Sequence, residues 1–338
     1  MHSRLCCYLA AYALCASLTS WGQSEARGNQ QTGVDGSEDP QHMSKVPKGV
    51  ILVKGAWSSA SDSVTPLPED GNVVGSVFSN EYFGMSWTLP PDWTEKYKGP
   101  PPSDRGRYVI AQIDPADTFK GEARGGILIT AEDMFFTPLP ANNSLEFVNY
   151  AKDHLQADYR VEQSPKQTKV GGRSFTFFSY LSPVAELHWY ILATEIRCHT
   201  VEVTLTSRDT KLLNDLTQDL NKMRFPRDDS PLSEDAFPVC IKDYASGANV
   251  IARVDPIFTE RRFNSVPVRI IIDKEGRIKH IHLLSAFPDQ VTAITDALKQ
   301  WKFRPYLRNG LPVEVETGIM FGFAPSPMIS AATNPTPR

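Results

Sequence analysis

The chain has 338 residues, with 35 Lys and Arg against 39 Asp and Glu and a formal net charge of -4. Basic and acidic residues are interspersed, so the chain lacks the basic stripe that counterion release from a nucleic acid rewards, and nucleic acid is excluded as a main partner. Beyond the amino-terminal leader, the length suits two ordinary domains, each able to bury its own core.

The amino end reads as a secretory signal. Arg4 supplies the positive start, residues 5–18 form an apolar stretch, and Ser20-Trp21-Gly22 resembles a small-x-small cleavage site, giving a signal peptide over 1–22. The competing reading, an uncleaved inner-membrane anchor through residues 5–18, falls short of the roughly 20 apolar residues a spanning helix needs. A lipoprotein site at Cys15 is disfavoured by Leu14 in the position before it. Cys6, Cys7 and Cys15 lie inside the signal, which leaves Cys198 and Cys240 in the mature chain. An oxidising compartment permits these two to pair and staple the two domains together; two unpaired thiols are the other reading.

Residues 23–75 are polar and rich in Gly, Ser, Asp and Pro, a composition that does not fold alone and reads as a flexible leader. Its apolar run Val50-Ile51-Leu52-Val53 can add an edge strand to something, and Trp57 is an anchor without an evident partner. The first domain spans 76–227. It opens on a strand-like run over 77–89 that Pro90-Pro91-Asp92-Trp93 turns, and strands follow over 107–113 and 126–130. Ser144 can cap a helix whose stripe is Phe147, Val148, Ala151 and Leu155. Gly171-Gly172 turns the chain into a strand over 175–180, and strands over 187–197 and 201–207 flank a hairpin turn around Cys198-His199-Thr200. Asp209 caps a closing helix that buries Leu212, Leu213, Leu216, Leu220 and Met223. Residues 228–252 read as a linker.

The carboxyl-terminal domain spans 253–323. A strand over 266–272, the turn Asp273-Lys274-Glu275-Gly276 and a strand over 277–284 form a hairpin. Pro288 opens a helix with Val291, Ile294, Leu298 and Trp301 on one face, and Pro305 prevents its continuation. Asn309-Gly310 turns into a last strand over 312–323, and the tail 324–338, with four prolines, reads as disordered. The fold class is therefore α+β: an antiparallel α/β sandwich followed by a small ββαβ domain.

The run Phe78-x-Asn80-x-x-Phe83-Gly84 with Leu89-Pro90-x-x-Trp93 makes residues 76–225 resemble the PsbP and Mog1 group of α/β sandwich domains. That resemblance implies a binding or assembly module. The order strand, Asp-x-x-Gly turn, strand, helix, Trp301-Lys302-Phe303-Arg304-Pro305, Asn309-Gly310, Pro312-Val313, strand is similar to the carboxyl-terminal domain of the TonB family. It departs from that family in showing Pro256-Ile257-Phe258 and Asn264-Ser265 where a Tyr-Pro pair and a Gly are usual. The resemblance implies a partner bound by strand addition: an outer-membrane transporter or another envelope or periplasmic protein. Energy transduction in the strict sense also requires an anchor and a long extended spacer, neither of which is read here, so a periplasmic adaptor, linked or not to TonB-type transport, is the expectation.

The pairing strand implied is the last one, with Val313, Glu314, Val315 and Glu316 as candidate partner-binding residues. Val313, Val315 and Thr317 alternate with Glu314 and Glu316, whose carboxylates are expected to face solvent, as a partner site or as edge charges that block aggregation. No catalytic, cofactor-binding or metal-ligating residue is assigned, and the protein is expected to be no enzyme. His280 and His282 share one strand face, yet two ligands are too few for zinc, and with Ile281 and Leu283 inward both read as solvent-facing. Cys198 beside His199 is not a nucleophile pair, since neighbours in an extended segment point apart. Glu132-Asp133 and Asp228-Asp229 read as solvated loops, and the glycine-rich turn 121–126 lacks the Lys-Ser/Thr of a phosphate loop. Asn142-Asn143-Ser144 fits a glycosylation pattern without meaning for a bacterial protein. The alternative function is a soluble periplasmic small-molecule-binding protein or cryptic enzyme, with a first-domain pocket lined by Trp87, Trp93, Phe177 and Trp189.

Overall fold

The computed structural model describes residues 50–52, 60–62, 67–69, 71–97, 106–116, 125–137, 139, 141–225, 237–258, 265–284 and 286–322. The signal peptide over 1–22, Trp57, Asp228-Asp229 and the tail over 324–338 lie outside the described residues. In chain order the strands begin with β1 (Val50–Leu52), β2 (Ala60–Asp62), β3 (Gly71–Val74), β4 (Val77–Asn80), β5 (Met85–Thr88), β6 (Trp93–Tyr97), β7 (Arg107–Pro115) and β8 (Gly126–Asp133). Helix α1 (Ser144–Asp153) precedes β9 (Arg160–Val170), β10 (Arg173–Ser182), β11 (Leu187–Ile196) and β12 (His199–Ser207), and α2 (Thr210–Asp219) follows. Then come β13 (Val239–Cys240), β14 (Val250–Ala252), β15 (Val266–Ile272), β16 (Ile278–Leu283) and α3 (Pro288–Leu298). The chain closes with β17 (Lys302–Phe303), β18 (Tyr306–Arg308), β19 (Leu311–Val313) and β20 (Val315–Phe321). The mixed α+β class expected from sequence is the class observed.

The first domain is a seven-stranded antiparallel sheet in the order β6-β7-β8-β12-β11-β10-β9. Its strands carry apolar residues on both faces, because both faces are covered. In β11, Trp189, Ile191 and Ala193 meet Phe147 and Val148 of α1, while Tyr190 and Leu192 turn to the opposite core. That second core holds Phe78, Met85 and Trp87 of the β3-β4-β5 meander and Leu213 and Leu216 of α2. Two helix starts follow from local hydrogen bonding. Asp209 accepts from the Lys211 amide at 2.8 Å, as expected, whereas Asn143, one residue ahead of Ser144, caps α1 by accepting from the Glu146 amide at 2.9 Å. The β11–β12 turn consists of Arg197 and Cys198 at φ 47° and 62°, so His199 and Thr200 belong to β12 and not to the turn.

The second sheet has the order β1-β2-β16-β15-β20-β13. Its core face holds Val268, Ile270, Ile272, Leu283 and Val315 against Val291, Ile294 and Leu298 of α3, with Trp301 and Phe303 leaving the helix end into the same core. One outer position is filled by the leader, whose apolar run over 50–53 is expected from sequence to add an edge strand to an unspecified partner, and the other by the segment expected to be a linker. The leader's β1–β2 hairpin pairs with β16 through Ser61–His282 and Ala60–Leu283, and β13, from the expected linker, pairs in parallel with β20. The expected last strand is two strands: β19 pairs back on β18, and β20 runs between β15 and β13. Among the described residues, no helix is long and apolar enough to cross a membrane.

Candidate functional site at the domain junction

Strand β15 is buried on both faces, so its alternation divides two environments. Val268, Ile270 and Ile272 enter the helix-covered core, while Arg269 points to the first domain and is 1% exposed. Around it stand Asp133 at the end of β8, His199 paired with it at the start of β12, Tyr82 from the turn after β4, and Glu316 of β20. One guanidinium nitrogen of Arg269 contacts both the Asp133 carboxylate and His199 Nε2. The other donates to the Tyr82 hydroxyl at 2.7 Å, and Tyr82 donates onward to Glu316 Oε1 at 2.9 Å. Arg269 Nε lies 3.4 Å from the same carboxylate oxygen. Gly318 permits the approach of the two domains, because a Cβ there would meet the Phe135 Cβ at 2.6 Å and the Phe136 ring at 2.9 Å.

Burial and charge set the protonation states. His199 Nδ1 lies 2.7 Å from the Arg197 carbonyl, which only accepts, so Nδ1 carries the proton and the lone pair of Nε2 faces Arg269. Burial, then the Arg269 charge, holds the His199 pKa well below its usual value, and the ring is neutral. Burial raises the Tyr82 and Tyr108 phenols well above their usual range, so both remain protonated. Burial also raises the Asp133 carboxyl, against the opposing pull of Arg269. Although burial works to lower the Arg269 pKa, Asp133 and the other surrounding groups lift it well above its usual value. The arrangement is one cation between two carboxylates, a closed ion network whose role in this geometry is to join two domains.

The sequence-derived candidates fall into this junction unevenly. Cys198 and Cys240 form a disulfide with Cα atoms 5.5 Å apart, bridging the β11–β12 turn to β13. Val313 is half-buried, and Glu314, with its side chain 25% exposed, pairs with Lys279 at 2.8 Å. Val315 and Glu316 are each 1% exposed and lie opposite Val239 and Cys240, so Glu316 does not face solvent: its strand face is the one covered by the first domain. The same cover corrects His280 and His282, which are 5% and 1% exposed, with His282 Nε2 3.4 Å from Glu69. Glu132-Asp133 is likewise the buried end of β8 and not a solvated loop. The four aromatics proposed to line a pocket divide between two cores: Trp87 and Phe177, with Trp93 packed against them, lie in one, and Trp189 lies in the other, stacked on Tyr180. A cavity of about 470 Å³ beside α1 is lined by other residues, among them Asn143, Arg173 and Glu195. Among the described residues no group of three potential metal ligands is found. Arg269 was not singled out from sequence, although a lone charge within the apolar run of β15 was the available signal.

Residues 260–325 match the family model described as the Gram-negative bacterial TonB protein C-terminal. This segment is similar to the TonB C-terminal domain. The match lies within the expected 253–323 apart from its last two residues, and it contains β15, β16, α3 and β20. The segment that matches the TonB C-terminal family is thus the part that supplies Arg269 and Glu316 to the junction. No curated protein matches the chain at a significant level. Among solved structures, cyanobacterial PsbP (CyanoP) from Synechocystis sp. PCC 6803 is similar at 13% identity and a TM-score of 0.32, covering 46% of this chain and 95% of that one. A crystal structure from Bacteroides thetaiotaomicron VPI-5482 is similar at 14% identity and a TM-score of 0.29, covering 46% of this chain and 50% of that one.

Proposed function

We propose that this chain is a non-enzymatic interaction protein of the Gram-negative cell envelope, exported to the periplasm, whose TonB C-terminal domain binds a partner protein by strand addition. The observation that carries the reading is the family match over residues 260–325. TonB C-terminal domains mediate interactions with envelope proteins, and pairing an extended segment with a sheet edge is the physical means open to a small ββαβ domain. The sheet supports this use, because β16 and β20 are completed at their outer sides by short segments of the chain itself, two paired residues in each case. The partner is an outer-membrane transporter or another envelope protein, and a link to TonB-type transport is part of the proposal.

Site-specific photo-crosslinking in the envelope tests this. Probes belong at half-buried Val313 and at Met320, which is 51% exposed on β20, with a control at Val184, which is 87% exposed in the first domain. A discrete adduct with an envelope protein from Val313 or Met320, and none from Val184, is the expected result. Absence of adducts from both β19 and β20 overturns strand addition at this edge.

A further inference from the structure

Strand β13 covers the edge of β20 with only two paired residues. The Val239 amide donates to the Glu314 carbonyl at 2.8 Å, the Ile241 amide donates to the Glu316 carbonyl at 3.1 Å, and Thr317 Oγ1 donates to the Lys242 carbonyl at 3.3 Å. A pairing this short does not hold itself in water. Its side chains alternate: Ile241 packs at the rim of the second core, whereas Cys240 points to the first domain and its disulfide with Cys198. Cys198 sits in the two-residue β11–β12 turn, and the neighbouring Arg197 ties that turn to Tyr82, its Nη1 donating to the Tyr82 carbonyl at 2.9 Å. Cys240 itself is exposed, while Cys198 is 6% exposed.

We infer that β13 is a redox-released latch: the Cys198–Cys240 disulfide holds it over the β20 edge, and reduction by a protein dithiol frees that edge for an extended segment of a partner. The incoming segment takes the place of β13, with main-chain groups satisfying the Glu314 and Glu316 carbonyls and apolar side chains at alternate positions replacing Val239 and Ile241. In the exchange, one thiolate of the reductant attacks the sulfur of Cys240, the more exposed residue of the pair, and Cys198 leaves as a thiolate and takes up a proton. The second reductant thiol resolves the mixed disulfide, so Cys240 leaves protonated. Two electrons and two protons pass to the cysteines, and the dithiol becomes a disulfide. The identity of the edge as a docking site rests on the strand-addition reading; the release of β13 does not.

The test is amide hydrogen exchange on the full chain, oxidised, reduced with dithiothreitol, and as the Cys198→Ser/Cys240→Ser double variant, combined with crosslinking from Val313 in the oxidised and double-Ser forms. Expected is a loss of protection of about tenfold or more at the Val239 and Ile241 amides in both thiol-free states, with the β15 and β16 amides still protected. Crosslinked adduct is expected to rise in the double-Ser form. Unchanged exchange at Val239 and Ile241, or loss of protection throughout the second sheet, overturns the latch whatever the adducts show. Released β13 without any adduct supports the latch and overturns the strand-addition reading instead.

Discussion

At the residue scale, Arg269 shows why a single charge can decide how two domains meet. Its guanidinium satisfies Asp133, His199 and Tyr82 and lies beside Glu316, all shielded from water. Replacing it by Met keeps the stem but leaves two buried carboxylates without their cation. Arg269→Met is therefore expected to lose about 3–5 kcal/mol of stability in urea denaturation. His199 makes the junction sensitive to acid. Its surroundings are Arg269, Asp133, Arg197 and His282, together with the edges of the Tyr82, Phe83 and Tyr108 rings. In the unfolded chain the imidazole takes up a proton near pH 6.5, whereas the folded value is held well below that. Between the two values the unfolded state binds the extra proton. The His199 contribution is complete above about pH 6.5 and is lost as pH falls towards the folded value, with a slope of about 1.4 kcal/mol per pH unit. His199→Gln, whose amide can donate to the Arg197 carbonyl and accept from Arg269, is expected to shrink the stability difference between pH 7.5 and 5.5 by about 1.4 kcal/mol. Denaturation at the two pH values measures it.

At the element scale, the alternation of β15, β16 and β20 serves two cores. One face holds α3, and the other receives the first domain at Arg269, His280, His282 and Gly318. Gly318 sets the separation. Gly318→Val is expected to force the Phe135-Phe136 loop from the sheet at a cost of about 1–3 kcal/mol, whereas Gly247→Ala, with nothing within 4 Å of its added Cβ, is expected to change little. Comparing the two variants by chemical denaturation separates domain contact from a general response to losing glycine. The hairpin, the helix and the buried Trp301 and Phe303 of this domain were legible in the sequence because local turn chemistry and the helical period specify them. The outer positions of the sheet were not, since nothing in the periodicity of residues 60–62 or 239–240 says which edge they join.

At the scale of the whole molecule, the disulfide and the ion network join the same two domains from neighbouring points, with Cys198 Sγ 3.7 Å from Glu316 Oε2. The bridge closes a sequence separation of 42, for which loop-closure entropy gives about 4 kcal/mol. Cys198→Ser/Cys240→Ser is expected to lower stability by about that amount. Calorimetry is expected to record one transition for the oxidised protein, because Leu284 of the second domain is fully buried in the core of the first. Two separated transitions in the oxidised state count against this coupling.

The sequence by itself determined the two-domain α+β plan, the order of hairpins and helices, and the resemblance that residues 260–325 bear out. Each follows from interactions a few residues apart: turn geometry, capping and the alternation of apolar side chains. Which face of β16 or β20 meets water was beyond that reach. His280, His282 and Glu316 have the spacing of a solvated strand face, and only the docking of one domain on the other makes them interior. A polar face that finds its counter-charges across a domain interface looks the same in one dimension as a face that finds water.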